Sequence, residues 1–237
     1  MKTLQQIGES IPGDGDKHKH HFQGTTHLER YEQYFSELRE EEFNILEIGV
    51  SAGHSLKVWE TYFPNATIYG VDIQPACDRH NTTRTKINIG SQIDDNFMES
   101  IGEEAGNFKI IVDDGSHVGG HMIHTLKTMW KYLAPEGYYI FEDTGTTRTI
   151  NPIKRWPGYR EGGFVDIPEE DYEENDRDNY DIGKSRHIVD DWIVEELNAM
   201  DSNIYNEKNS ATTLEEHPLE FIHFYTCLQI MRKAKNK

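Results

Sequence analysis

From Asn44 onward, short apolar runs alternate with longer amphipathic stretches, a rhythm that restricts the chain to βα units wound around a largely parallel sheet. The spacing predicts strands over Ile45–Val50, Thr67–Ile73, Thr85–Ile89, Phe108–Asp113 and Gly137–Glu142. Helices are expected between them at His54–Tyr62, Ile93–Glu104 and His121–Leu133. In the last, Ile123, Leu126, Met129, Trp130 and Leu133 share one face. Right-handed crossovers then give a doubly wound sheet, with strand order 3-2-1-4-5 expected.

The flanks differ in pattern. Residues 1 to about 25 are polar and rich in Gly, Lys and His, and Leu28, Tyr31, Tyr34, Phe35 and Leu38 then recur at helical spacing. Residues 1–40 therefore read as an N-terminal lid segment with a helix, and 41–237 as the main domain. After Glu142 the rhythm fails in an acidic, Pro- and Gly-punctuated insertion of about 150–184, of the kind used as a lid or binding loop. A helix around Ser185–Met200 follows. The last apolar runs, in LEFIHFYTCLQIMRK, suit an antiparallel hairpin at the sheet edge.

Composition excludes several partners. With 24 Lys and Arg against 42 Asp and Glu, the net charge of -18 repels phosphate backbones and anionic lipid, so neither nucleic acid nor membrane is expected. No apolar run approaches the roughly 18 residues of a spanning helix, and the start of the chain lacks an apolar signal region, which predicts a cytoplasmic protein. Only Cys77 and Cys227 occur, with no thiolate metal spacing.

The first strand runs through a glycine-bearing turn into a helix as NILEIGVSAGHSLKVW. A dinucleotide fingerprint would place glycine where Ser51 and His54 stand. Glu47, Gly49 and Gly53 give ExGxxxG instead, which favours S-adenosylmethionine over NAD. A carboxylate near Glu47 attracts that cofactor's ammonium, and Ser51 and Ser55 lie in the same loop. Asp72, followed by Ile73, ends the second strand where a carboxylate meets ribose hydroxyls. Ser91 and Gln92 stand where an adenine edge would lie, and Asp113 closes the fourth strand beside the same pocket.

The fourth and fifth strands end in FKIIVDDGSH and YYIFEDTGTT. Adjacent strands are about 4.8 Å apart, so Asp114, Glu142 and Asp143 at one edge can share a hard divalent cation such as Mg²⁺. His117 is then a candidate general base beside Asp114. Turn formation and helix capping are the other uses of these residue types.

With DKHKHHF, YEQYF, LEIGV, GVDI, DDGSH, EDT and a terminal IHFY in this order, the chain resembles the metal-dependent sugar O-methyltransferases of macrolide antibiotic pathways, from about Asp16 to the C-terminus except the acidic insertion. The resemblance implies a Rossmann-like α/β fold and an S-adenosylmethionine-dependent, Mg²⁺-assisted O-methyltransferase acting on a hydroxyl of a sugar or glycosylated natural product. It also implies that Asp114 and Asp143 hold the metal, Glu142 joins them, and His117 deprotonates the acceptor. The loop after LEIGV is shorter than in that family, and its large N-terminal oligomerisation region is missing, which leaves homo-oligomerisation open. A catechol-type methyltransferase and a non-catalytic S-adenosylmethionine-binding subunit are the alternatives.

Overall fold

A computed structural model describes residues 1–13, 15–21, 24–144, 193, 219–225 and 227–235. The expected acidic insertion and the helix around 185–200 lie outside these residues, Ile193 excepted.

Among the described residues seven strands form one sheet: β1 (Asn44–Ile48), β2 (Thr67–Asp72), β3 (Thr85–Ile89), β4 (Phe108–Asp113), β5 (Leu133–Glu142), β6 (Leu219–Tyr225) and β7 (Leu228–Lys233). Their order is β3-β2-β1-β4-β5-β7-β6. The first five strands are parallel, and β7 runs antiparallel to both β5 and β6. The doubly wound sheet and its terminal hairpin therefore follow the sequence pattern. β5 begins four residues earlier than the Gly137 expected, and a register shift against β4 between Phe108 and Ile110 accommodates that extra length.

Helices α2 (His27–Phe35), α3 (His54–Tyr62), α4 (Asp95–Ala105) and α5 (Gly119–Met129) occupy the expected segments, α5 passing into a 3₁₀ turn at Trp130–Tyr132. Helix α1 (Leu4–Ser10) was not anticipated. Its signal is a capping box, in which Gln6 N donates to Thr3 Oγ1 and the Gln6 side chain returns to Thr3 N. Leu4 and Ile7 are fully buried against the layer formed by α2 and α3, so the segment expected to act as a lid begins as a docked helix.

Each sheet face has its own core. One, under α1–α3, contains Ile45, Ile110, Val112, Ile140, Tyr31, Phe35 and Trp59; the other, under α4 and α5, contains Leu46, Ile111, Tyr139, Phe141, Met122 and Trp130. Strand side chains alternate between faces, which explains the near-continuous apolar composition of β1 and β4. Among the described residues, no helix is long and apolar enough to cross a membrane.

Candidate functional site

The parity that divides the core also divides the acidic residues at the carboxyl edge. Glu47 shares a face with Ile45, Asp114 with Val112, and Glu142 with Ile140, all on the α1–α3 side. Asp113 has the opposite parity and is buried on the α4–α5 side, where Gln92 Nε2 donates to it at 3.3 and 3.4 Å. Burial pushes the Asp113 carboxyl up to about 7, against hydrogen bonds from Gly115 N, Gln92 and Tyr139.

A cavity of about 390 Å³ opens across the ends of β1, β2 and β3, lined in part by Gly49, Ser51, Asp72, Ile73, Ser91 and Gln92. It adjoins the switch point between β1 and β4, from which the sheet winds in opposite directions. Here the backbones nearly touch: a Cβ on Gly49 would lie 2.0 Å from the Asp114 carbonyl oxygen, and φ at Gly49 is +93°. Only glycine fits that turn. Asp72 braces it, since Oδ2 accepts from Val50 N and Ser51 N at 2.9 Å each and Oδ1 accepts from Gln74 N at 2.8 Å.

Asp114 also lines the cavity, and with His117 and Asp143 it forms a group whose ligand atoms all lie within 4.8 Å of one another. His117 Nε2 is 4.0 Å from Asp114 Oδ1 and 3.9 Å from Asp143 Oδ2. His117 (φ 56°) and Asp143 (φ 51°), like Ser51 (φ 48°), adopt left-handed backbone in the turns after their strands. Such positions cost about 1–3 kcal/mol each and recur at sites where side chains are aimed. For Asp143 the turn offsets strand parity and brings its carboxylate toward Asp114.

Behind this group lies Lys17, from the N-terminal segment. Its Nζ contacts Asp114 Oδ2, lies 2.8 Å from Glu142 Oε1 and is 3.5 Å from Glu47 Oε1. Burial opposes the charge on Lys17, but Asp114, Glu142 and Glu47 together hold its pKa well above the usual lysine range. Burial, and after it the charges of Glu142 and Asp143, push the Asp114 carboxyl up, while the adjoining Lys17 ammonium favours its ionised form. Burial acts likewise on Glu142, yet Lys17 and His27 hold that carboxyl below the usual range.

Glu142 was expected among the metal ligands. It is turned to Lys17, to the Tyr31 hydroxyl, which donates at 2.6 Å, and to His27 Nδ1 at 3.1 Å, and it stands outside the Asp114–His117–Asp143 group. Of the residues assigned to the cofactor, Glu47, Gly53, Ser55 and Asp113 do not line the cavity. Glu47 accepts from Trp59 Nε1 at 2.6 Å beneath the turn, with Ser55 also bonded to it. Gly53 (φ 68°) caps α3 against the His80 ring. Gln92 lines the cavity, but its amide is committed to Asp113, Thr125 and Ser116 N. His27 and Tyr31 escaped sequence reasoning because each reads as one more residue on an amphipathic helix.

Residues 46–144 match the methyltransferase domain family. The chain is 31% identical over 215 residues to 8-demethyl-8-(2-methoxy-alpha-L-rhamnosyl)-tetracenomycin-C 3'-O-methyltransferase of Streptomyces olivaceus, a match covering 87% of this chain and 48% of that protein. It is 33% identical over 148 residues to mycinamicin VI 2''-O-methyltransferase of Micromonospora griseorubida, covering 59% and 34% of the two. The chain thus spans about half, or less, of the length of these relatives. A mycinamycin-pathway methyltransferase solved with Mg, SAH and mycinamycin VI superposes with a TM-score of 0.62 at 25% identity, covering 89% of this chain and 50% of that one. The chain thus has a Rossmann-like fold, matches the methyltransferase domain family over residues 46–144, and resembles the sugar O-methyltransferases of macrolide and related antibiotic pathways.

Proposed function

We propose that the chain is an S-adenosylmethionine-dependent, Mg²⁺-assisted O-methyltransferase acting on a hydroxyl of a sugar or glycosylated natural product in the cytoplasm. One observation carries the reading: Asp114 belongs at once to the cavity wall and to the Asp114–His117–Asp143 group, so methyl donor and acceptor would meet at that residue. The cavity lies within the size range of small-molecule sites. Two carboxylates, that of Asp114 raised in pKa first by burial and then by its anionic neighbours, suit a divalent cation, with the His117 imidazole beside them.

Asp114 and Asp143 would hold Mg²⁺, which supplies Lewis-acid polarisation of an acceptor hydroxyl. His117 takes the hydroxyl proton on its imidazole. S-adenosylmethionine in the cavity would supply an electrophilic sulfonium methyl to that oxygen and would depart as the neutral thioether, keeping the electron pair of the broken carbon–sulfur bond. Gly49 admits the cofactor close to the backbone, Asp72 holds the loop against it, and the cavity wall orients the two reactants.

The test is calorimetric titration of S-adenosylmethionine into the protein with Mg²⁺ and then with EDTA, beside methyl transfer to a panel of glycosylated macrolides and free sugars. Cofactor binding should survive EDTA. Transfer should need Mg²⁺ and be lost in Asp114→Ala. Absence of cofactor binding overturns the proposal, and transfer that persists in EDTA removes the metal from it.

A further inference from the structure

Lys17 is held too firmly to be an incidental surface lysine. Its side chain is only 5% exposed. Its own amide donates to Asp16 Oδ1 at 2.7 Å, and its carbonyl accepts from Leu28 N at the start of α2. Lys19 N and His20 N both return to Asp16 O at 2.9 Å, closing a tight turn around it. The adjacent His18 ring stacks on His54 of α3 at 4.9 Å between centroids. The turn is thus fastened to α2 on one side and α3 on the other, with the ammonium projecting between Glu47, Asp114 and Glu142.

The three carboxylates are not equally occupied. Glu142 spends both oxygens on Lys17, Tyr31 and His27. Glu47 takes Trp59 on Oε2 and is also bonded by Ser55, while its buried Oε1 lies 3.5 Å from the Lys17 ammonium. Asp114 gives Oδ2 to Lys17 and turns Oδ1 toward His117. One ammonium therefore stands between a carboxylate under the cofactor turn and one in the candidate cation group.

We propose that Lys17 is the positioning residue of this site: a fixed internal counter-ion that ties Asp114 and Glu142 to Glu47 and tempers the affinity of the Asp114–His117–Asp143 group for a divalent cation. The inference rests on reading that group as a cation site. A positive charge on Asp114 competes with a second cation for the same oxygens, and in a buried site the competition is poorly screened. Glu47 draws part of the Lys17 field away from Asp114. Removing Lys17 should therefore strengthen cation binding, and removing the Glu47 charge should weaken it. Simple structural damage would weaken binding in both.

The experiment is Mn²⁺ titration by calorimetry and by the free-ion electron paramagnetic resonance signal, on the full chain without cofactor, for wild type, Lys17→Met and Glu47→Gln. Circular dichroism in EDTA and in Mn²⁺ monitors folding. Wild type should bind Mn²⁺, Lys17→Met at least tenfold more tightly, and Glu47→Gln at least threefold more weakly. Equal or weaker binding by Lys17→Met overturns the counter-ion role while leaving the cation site standing; absence of Mn²⁺ binding in wild type removes both. If Lys17→Met folds in neither condition, Lys17→Gln takes its place with the same expected tightening, and equal or weaker binding there overturns the proposal.

Discussion

Replacing Gly49 by alanine tests whether the cofactor turn and the carboxylate group are one mechanical unit. The added Cβ would lie 2.0 Å from the Asp114 carbonyl oxygen and 2.7 Å from its carbon, whereas Cβ contacts below 3.0 Å are essentially never found. The ends of β1 and β4 must then part by about 1 Å, a displacement that near a reacting centre is worth on the order of 100-fold in rate. The positive φ adds a separate cost of about 1–3 kcal/mol. Gly106→Ala supplies the control, because Gly106 has φ +80° but its Cβ would meet nothing within 4 Å. Urea denaturation of both variants separates the backbone cost they share from the clash at Gly49 alone. Methyl transfer at saturating cofactor should fall about 100-fold in Gly49→Ala and stay near wild type in Gly106→Ala. A Gly49→Ala enzyme retaining a third of its activity, or no less stable than the control, would refute the coupling of turn and site.

Trp59→Phe removes the indole donor to Glu47 and should cost about 1–3 kcal/mol in urea denaturation, since the buried oxygen has no solvent to replace it; a loss under about 0.5 kcal/mol contradicts that. Burial, then the Asp72 charge, pushes the Cys77 thiol up to about 11. At pH 8 an aromatic disulfide reagent should label the partly exposed Cys227 promptly and Cys77 only after unfolding, and equal rates would refute the assignment. Lys233 donates to the Trp130 and Leu133 carbonyls from a buried position, and burial pushes its pKa down to about 8 from 10.5. Between those values the unfolded chain carries a proton that the folded one lacks, so stability relative to Lys233→Met should rise with pH across that window. A flat difference in urea midpoints would show that the amine keeps its proton when buried.

The sheet was legible because parallel strands buried on both faces leave unbroken apolar runs, and α3 declares itself by following a glycine turn. The acidic residues were legible as a cluster but not in their division. Strand parity, applied to Ile140 and Phe141, already puts Glu142 and Asp143 on opposite faces, and that step separates the carboxylate held by Lys17, Tyr31 and His27 from its neighbour. The left-handed turn that swings Asp143 back toward Asp114 carries no such signal, because EDTG reads equally well as a cap. Lys17 was visible only as the second residue of DKHKHHF. Its three carboxylate partners, 30 to 125 residues further along, are contacts that no local pattern encodes.

Those separations also bear on the order in which the molecule assembles. Synthesis delivers Lys17, His27 and Tyr31 well before Glu142 exists, so the earliest part of the chain waits for the end of β5 before its charges can be satisfied. Closing such long loops is slow compared with local helix formation. A capped α1 and a capped α2 can form at once, while the electrostatic centre is among the last features to become native. A nascent chain halted short of residue 142 would hold most of the parallel sheet and the cavity-lining residues, but not the completed charge cluster.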